Sequence, residues 1–260
     1  MSGIIGVAGC GRMGGPMLAN LQSAGFDARG YDPRPAAGVG TDFGAFCAGL
    51  TTLVTVVRDA AETDALLFDD QAVITRAKSL QILVISSTLS PNYVKSLRAR
   101  IPDHITLIDA PMSGAQVRAR AGTLTFMVGG DPTPIMPLLR AMGDAIHPMG
   151  AFGAGMTGKV LNNLLAASHT AMTRMVLDWA DDAGLDEEKL LNLIATSSGQ
   201  NWLASGFNDI EFARDGHSSD NTIGILVKDV ESALDAAPPG ADLSLPKIVQ
   251  TQIAALKPRP

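Results

Sequence analysis

Six short apolar runs mark the first half of the chain: Gly3–Ala8, Phe26–Tyr31, Thr52–Val57, Ile82–Ser86, Thr106–Asp109 and Thr123–Val128. Each is too short for a helix and long enough for a strand buried on both faces. Helical spacing of apolar residues lies between them. It predicts helices over Met13–Leu21 with a stop at Gly25, and over Ala60–Leu67, Asn92–Ile101 and Thr133–Ala141. Strands alternating with helices imply an α/β unit with a doubly wound parallel sheet. The texture changes after the glycine-rich stretch Phe152–Gly158. Lys159–Ala183 is one long apolar-periodic segment, followed by helical patterns over Asp186–Ala195, Asn201–Phe207, Ile223–Ala236 and Pro246–Leu256. The pattern divides the chain into an α/β domain, residues 1–155, and an all-α domain, residues 156–260. The helix that begins near Lys159 is long enough to bridge two domains or two subunits.

The first predicted strand runs into Gly9-Cys10-Gly11-Arg12-Met13-Gly14 and then a helix; the second ends at Asp32. The first glycine permits a tight turn, the second a close approach of backbone to pyrophosphate, and the third close packing of helix on strand. Phosphates would meet the helix N-terminus and its unpaired N–H groups, with Arg12 and Met13 in the turn beside them. Strand, glycine turn, helix and an acidic residue about 20 positions on make the context of a Rossmann-type dinucleotide site. Asp32 would accept from the adenosine ribose hydroxyls and repel a 2′-phosphate, which favours NAD. Arg34 pulls the other way, since a guanidinium there would pair with the 2′-phosphate of NADP. The plainer reading of Asp32 is a turn residue before Pro33.

Composition narrows the possibilities. Hydrophobic residues make up 46% of the 260 and charged residues 18%, as in ordinary globular proteins. A net charge of −6 disfavours nucleic-acid or anionic-membrane partners, though not a small anionic substrate in a locally positive pocket. Two cysteines, Cys10 and Cys47, are too few for a disulfide scaffold and lack metal-ligand spacing, which fits a reducing cytoplasm and predicts no metal site. Cys10 reads as a small residue that fits its turn. Met1–Val7 lacks the basic start and long apolar stretch of a secretory signal, and no apolar run reaches membrane-spanning length.

Three further constellations carry polar groups. Asp109-Ala110-Pro111-Met112-Ser113-Gly114-Ala115 follows a strand, where the rim of an open α/β sheet binds ligands. Ser113 with nearby N–H groups suits a carboxylate; a plain turn is the alternative. Lys159 and Asn163, four apart, share one helix face after Gly153-Ala154-Gly155-Met156-Thr157-Gly158. A lysine in a first helical turn meets the positive helix end, and partial burial would add to the depression of its pKa, as proton transfer requires. The alternative is a solvated lysine. Lys228-Asp229 lies in an apolar helix and reads, on those residues alone, as surface decoration.

Taken together and in this order, these stretches resemble the β-hydroxyacid dehydrogenase family, which includes 3-hydroxyisobutyrate dehydrogenase and tartronate semialdehyde reductase. The likeness also covers Ser87-Thr88-Leu89-Ser90-Pro91, Ala121-Gly122-Thr123-Leu124 and Met127-Val128-Gly129-Gly130. The resemblance implies hydride transfer between NAD(P) and a small β-hydroxyacid or semialdehyde. It implies Lys159 as acid/base, Asn163 orienting the substrate, Ser113 and Gly114 holding it with Ala115 beside them, and Thr88 and Lys228 contacting the cofactor or closing the site. It also implies a homodimer or homotetramer, with the helical half mediating dimerisation. Three departures stand out. Ala115 replaces the second glycine of the usual Ser-Gly-Gly. Ile85 stands where an acid is common. The segment from Arg34 to Leu53 is short, which predicts a truncated helix after the second strand. Arg118 and Arg120 read as exposed rather than substrate-binding. Two rivals remain: an imine reductase on the same scaffold, which usually lacks a lysine at position 159, and a non-catalytic dinucleotide-binding module.

Overall fold

A computed structural model describes residues 3–260. By its contacts the chain forms two compact units, Met1–Lys159 and Val160–Pro260.

The first unit is built on an eight-stranded sheet. Its elements in order are β1 (Ile4–Ala8), α1 (Gly14–Ser23), β2 (Ala28–Tyr31), α2 (Phe43–Cys47), β3 (Leu50–Thr55), α3 (Ala60–Leu67), α4 (Val73–Arg76), β4 (Ile82–Ile85), α5 (Pro91–Leu97), β5 (Thr106–Asp109), β6 (Met112–Ser113), α6 (Ala115–Ala121), β7 (Leu124–Gly129), α7 (Met136–Met142) and β8 (Gly143–Gly150). The strand order is β2-β1-β3-β4-β5-β7-β6, with β8 paired to β7. β2, β1, β3, β4 and β5 are parallel neighbours, as the alternation of strands and helices predicts. The far edge departs from that pattern: β7 runs antiparallel to β5 and β6, and β8 parallel to β7.

The apolar runs are continuous because both faces of the sheet are covered. Leu53, Leu83, Ile85 and Leu107 point into one core with α2 to α5, through side chains such as Phe46, Leu67, Val73 and Leu97. Val54, Val84 and Ile108 alternate to the other face, against Met17, Leu18 and Leu21 of α1 and Leu138, Leu139 and Met142 of α7. The short segment after β2 folds as predicted, into the five-residue α2. Phe43 meets Tyr31 edge to face and Phe46 packs on it at a tilt, at centroid distances of 4.9 and 5.4 Å, which gives so short a helix its anchorage.

Two strands were not legible: β6 is only two residues long, and β8 is mostly half-buried or exposed and contains Pro148. The predicted Asn92–Ile101 helix starts at Pro91, with Ser90 as its cap, and ends earlier, at Leu97.

α8 (Ala154–Asp182) begins in the first unit and ends in the second. The remaining elements of the second unit are α9 (Glu187–Ala195), α10 (Trp202–Ser205), α11 (Thr222–Asp235) and α12 (Ser244–Ala254). Ile223, Leu226, Val230, Val249 and Ile253 close one core of this unit with Ala167 of α8. Leu177, Leu191, Leu203 and Phe207 form another. Among the described residues no helix is long and apolar enough to cross a membrane.

Candidate functional site

The glycine turn joins the C-terminal end of β1 to α1, where the sheet order reverses between β2 and β3. Gly9 adopts φ +90°, and a Cβ there would lie 2.6 Å from the Val56 carbonyl oxygen. A Cβ on Gly14 would collide with the Gly9 carbonyl oxygen, whereas one on Gly11 meets nothing within 4 Å. Two glycines therefore fold the turn and the third leaves its outer side open. No side chain caps α1, and no acid stands in its first turn. An uncapped helix start over an open glycine fits a pyrophosphate.

Asp32, the residue after β2, closes this turn. It is buried, and its Oδ2 accepts from the Cys10 N–H at 3.1 Å. Its Oδ1 accepts from the Arg34 backbone N–H at 3.0 Å and from Arg34 Nε at 3.1 Å. Burial alone would push the carboxyl up; the Arg34 hydrogen bonds and charge, with the Cys10 N–H, outweigh it and hold the carboxyl below its ordinary value. Asp32 is thus built into the turn as a charged acceptor. Arg34 itself lies 80% exposed at its side chain, and Arg12 in the turn is exposed. Burial pushes the Cys10 thiol up to about 11, so it stays a protonated small residue.

Thr88 lies half-buried between β4 and the Ser90-capped start of α5. Ser113 ends β6, paired with Thr125 of β7. Gly114 follows at φ +136° and Ala115 at φ +53°, one of two described non-glycine residues with positive φ. The residue that replaces the family's second glycine is therefore held in the region that favours glycine. Left-handed backbone costs a residue with a Cβ about 1–2 kcal/mol, and glycine loses about 0.4–1 kcal/mol through the freer unfolded chain. Ala115→Gly should thus leave stability unchanged or raise it by up to about 1.6 kcal/mol. Urea unfolding checks this; a clear loss of stability would contradict it. Arg118 is bound to Asp144 at 3.0 Å and Arg120 is exposed.

The start of α8 corrects the reading of Lys159. The helix begins at Ala154, so Lys159 sits in its second turn, beyond the reach of the helix-end charge, which fades within the first turn. Burial remains: the side chain is 7% exposed. The helix starts early because Asp109, at the end of β5, accepts from the N–H groups of Gly153 and Met156, both at 2.6 Å. Burial raises the Asp109 carboxyl, and those two N–H groups offset part of the rise.

In the second unit Asn163 is buried one helical turn after Lys159 in sequence. Its amide nitrogen donates to Asp229 Oδ2 at 2.5 Å and its oxygen accepts from Asn162 at 3.3 Å. A carboxylate only accepts, which fixes the orientation of the Asn163 amide. Asp229 is 2% exposed and its other oxygen lies 3.6 Å from Lys228 Nζ. Lys228-Asp229 is therefore not surface decoration. Sequence reasoning gives Asp109 no role of its own and puts Asp229 on the surface; the structure buries both. A signal existed for Asp229, which falls beside the buried stripe Ile223, Leu226, Val230 and Ala233 of α11. No group of three metal-ligating side chains stands together among the described residues.

Comparison with known proteins now decides the family. Residues 4–153 match the NAD binding domain of 6-phosphogluconate dehydrogenase, and residues 153–258 match the NAD-binding domain of NADP-dependent 3-hydroxyisobutyrate dehydrogenase. The chain belongs to the β-hydroxyacid dehydrogenase family. A 3-hydroxyisobutyrate dehydrogenase of Pseudomonas aeruginosa is 33% identical over 78% of this chain and 73% of its own length. An L-threonate dehydrogenase of Cupriavidus necator is 30% identical over 91% of this chain and 84% of its own. The solved structure of Mycobacterium tuberculosis 3-hydroxyisobutyrate dehydrogenase with L-serine has a TM-score of 0.78 at 28% identity, covering 99% of this chain and 97% of that one. As a member of this family the chain is an NAD(P)-dependent 3-hydroxyacid dehydrogenase, and its chemistry is hydride transfer on small hydroxyacids.

Proposed function

We propose that this dehydrogenase oxidises a small anionic 3-hydroxyacid, or reduces the matching semialdehyde, with Lys159 as its acid/base and NAD preferred over NADP. The observation that carries the reading is a lysine buried to 7% exposure, one turn ahead of an asparagine whose amide is locked by a buried carboxylate. When bound, the nicotinamide supplies the hydride acceptor or donor. Lys159 takes the proton of the substrate hydroxyl, or returns it in reduction. Asn163 orients that hydroxyl, and Ser113 with the Gly114 and Ala115 backbone holds the carboxylate. Gly9, Gly11, Arg12, Met13 and Gly14 receive the pyrophosphate, Asp32 the ribose, and Thr88 and Lys228 the rest of the cofactor. Asp32 is already ionised and turned into the glycine turn, which supports NAD over a cofactor bearing a 2′-phosphate. Reduction of NAD+ and NADP+ by 3-hydroxyisobutyrate, L-serine and L-threonate tests the substrate class. Saturable turnover with at least one is expected; turnover with none would overturn it.

The setting proposed is a reducing cytoplasm, with both cysteines buried as thiols. The assembly proposed is a homodimer. Leu161, Leu165, Met172 and Trp179, spaced by four and seven residues, form one exposed apolar stripe along α8. A helix of that pattern matches a copy of itself. Met172→Glu should give a monomer by size-exclusion chromatography with light scattering, where the unaltered chain gives a dimer; unchanged mass would refute this interface.

A further inference from the structure

The helix that carries Lys159 lacks an N-cap of its own. Gly153, the residue before Ala154, has no side chain, and no acid stands in the first turn. In an ordinary capping box the residue at the cap and the one three positions on each satisfy the other's N–H. Here both N–H groups, of Gly153 and Met156, are taken by one carboxylate from another strand. Asp109 lies 44 and 47 residues upstream of them and is fully buried.

The surroundings are shaped for this contact. Asp109 pairs with Gly129 across β5 and β7, and a Cβ on Gly129 would run into Asp109 Oδ1. A Cβ on Gly155 would meet the Met127 carbonyl oxygen, lie 2.7 Å from the Gly129 N–H nitrogen and 2.9 Å from Asp109 Oδ2. Strand and helix start therefore meet backbone to backbone around the carboxylate, and no larger residue is tolerated at either glycine. Asp109 is also four residues before Ser113 on the same short segment. Lys159 lies five residues beyond Ala154, a rise of about 7–8 Å along a helix.

The geometry points to Asp109 as a positioning residue: it caps α8 from β5 and thereby fixes Lys159 relative to the segment that ends at Ser113. This inference rests on the reading of Lys159 as the acid/base. Asp109 does not touch substrate in this account. It sets the axial position of the helix, and through it the place of the lysine amine.

The test uses Asp109→Asn, Gly155→Ala and a control, Asp186→Ala, in the full chain. Asp109→Asn keeps the shape but turns an amide N–H2 toward one of the two backbone N–H groups. Gly155→Ala keeps the carboxylate and pushes the helix start away from β7. Asp186 caps α9 by accepting from the Lys189 N–H at 2.9 Å, so its loss costs a helix cap away from the proposed site. Well below the melting temperature, and per cofactor-binding site counted by titration, Asp109→Asn and Gly155→Ala should each lower kcat about 10–100-fold with KM for NAD+ changed by less than about twofold. Asp186→Ala should lower the melting temperature and leave kcat intact. If Asp109→Asn does not fold, Gly155→Ala alone decides. Wild-type kcat per site in the folded variants would overturn the inference. Lys159→Ala, run beside them, separates the two ideas. Full turnover in that variant defeats the reading of Lys159; lost turnover there with normal turnover in Asp109→Asn defeats only the capping role.

Discussion

Lys159→Ala should lower kcat about 10²–10⁴-fold, the usual worth of a positioned acid/base. Binding of NAD+, measured by fluorescence titration, should stay nearly unchanged, because the glycine turn and Asp32 lie on other elements of the first unit. Loss of kcat and kcat/KM in equal measure would mark a group that acts in the transition state. The side chain is buried, so its removal also opens space within the fold. Lys159→Met fills that space without a titratable amine and should be as slow as the alanine variant. A methionine variant with wild-type turnover would show that Lys159 only packs.

Asp32→Ala should cost NAD+ far more than NADP+. A hydrogen bond to a charged group contributes about 1.5–3 kcal/mol, so loss of the ribose acceptor should lower kcat/KM for NAD+ by roughly 10–100-fold. The same change removes the charge that repels a 2′-phosphate and releases Arg34, now held at 3.1 Å by that carboxylate. The ratio of kcat/KM for NAD+ to that for NADP+ should therefore fall by at least about tenfold. Part of the loss is structural, because the buried Cys10 N–H loses its acceptor at a cost of about 1–3 kcal/mol. The ratio between cofactors cancels that shared cost. An unchanged ratio would remove Asp32 from cofactor selection. The pH dependence has a definite sign. The folded Asp32 carboxyl lies below its ordinary value of 3.8. Its contribution to stability is thus complete above that value and is lost as pH falls through the lowered one.

What the sequence made legible, and what it hid, divides along local and non-local lines. The parallel strands announce themselves because each is buried on two faces, as Leu53 and Val54 or Leu83 and Val84 show by pointing into different cores. The glycine turn and Asp32 are local in the chain, so their spacing alone predicts that the acid lies near the turn; the Cys10 N–H that it accepts from is seen only in the structure. The start of α8 was misplaced by five residues because Gly153, Gly155 and Gly158 read as breakers. Those glycines allow close approach, and the cap comes from Asp109 across the fold, which no window of sequence contains. β8 was missed because His147 and Pro148 interrupt it and its side chains are largely exposed. Asp229 was misread because adjacency to Lys228 suggested an exposed pair, whereas helical phase beside Leu226 and Val230 buries it. The positive φ of Ala115 was likewise invisible until the backbone was seen, although the absent second glycine marked the position.

Direct hydride transfer to the cofactor is the central claim, and isotope tracing tests it. A hydroxyacid substrate carrying deuterium on its hydroxyl-bearing carbon is oxidised with NAD+, and the reduced cofactor is analysed by mass spectrometry. One deuterium per reduced nicotinamide is expected, with a slowed rate relative to the unlabelled substrate. Reduced cofactor that carries no deuterium, with the label found in solvent, would contradict it.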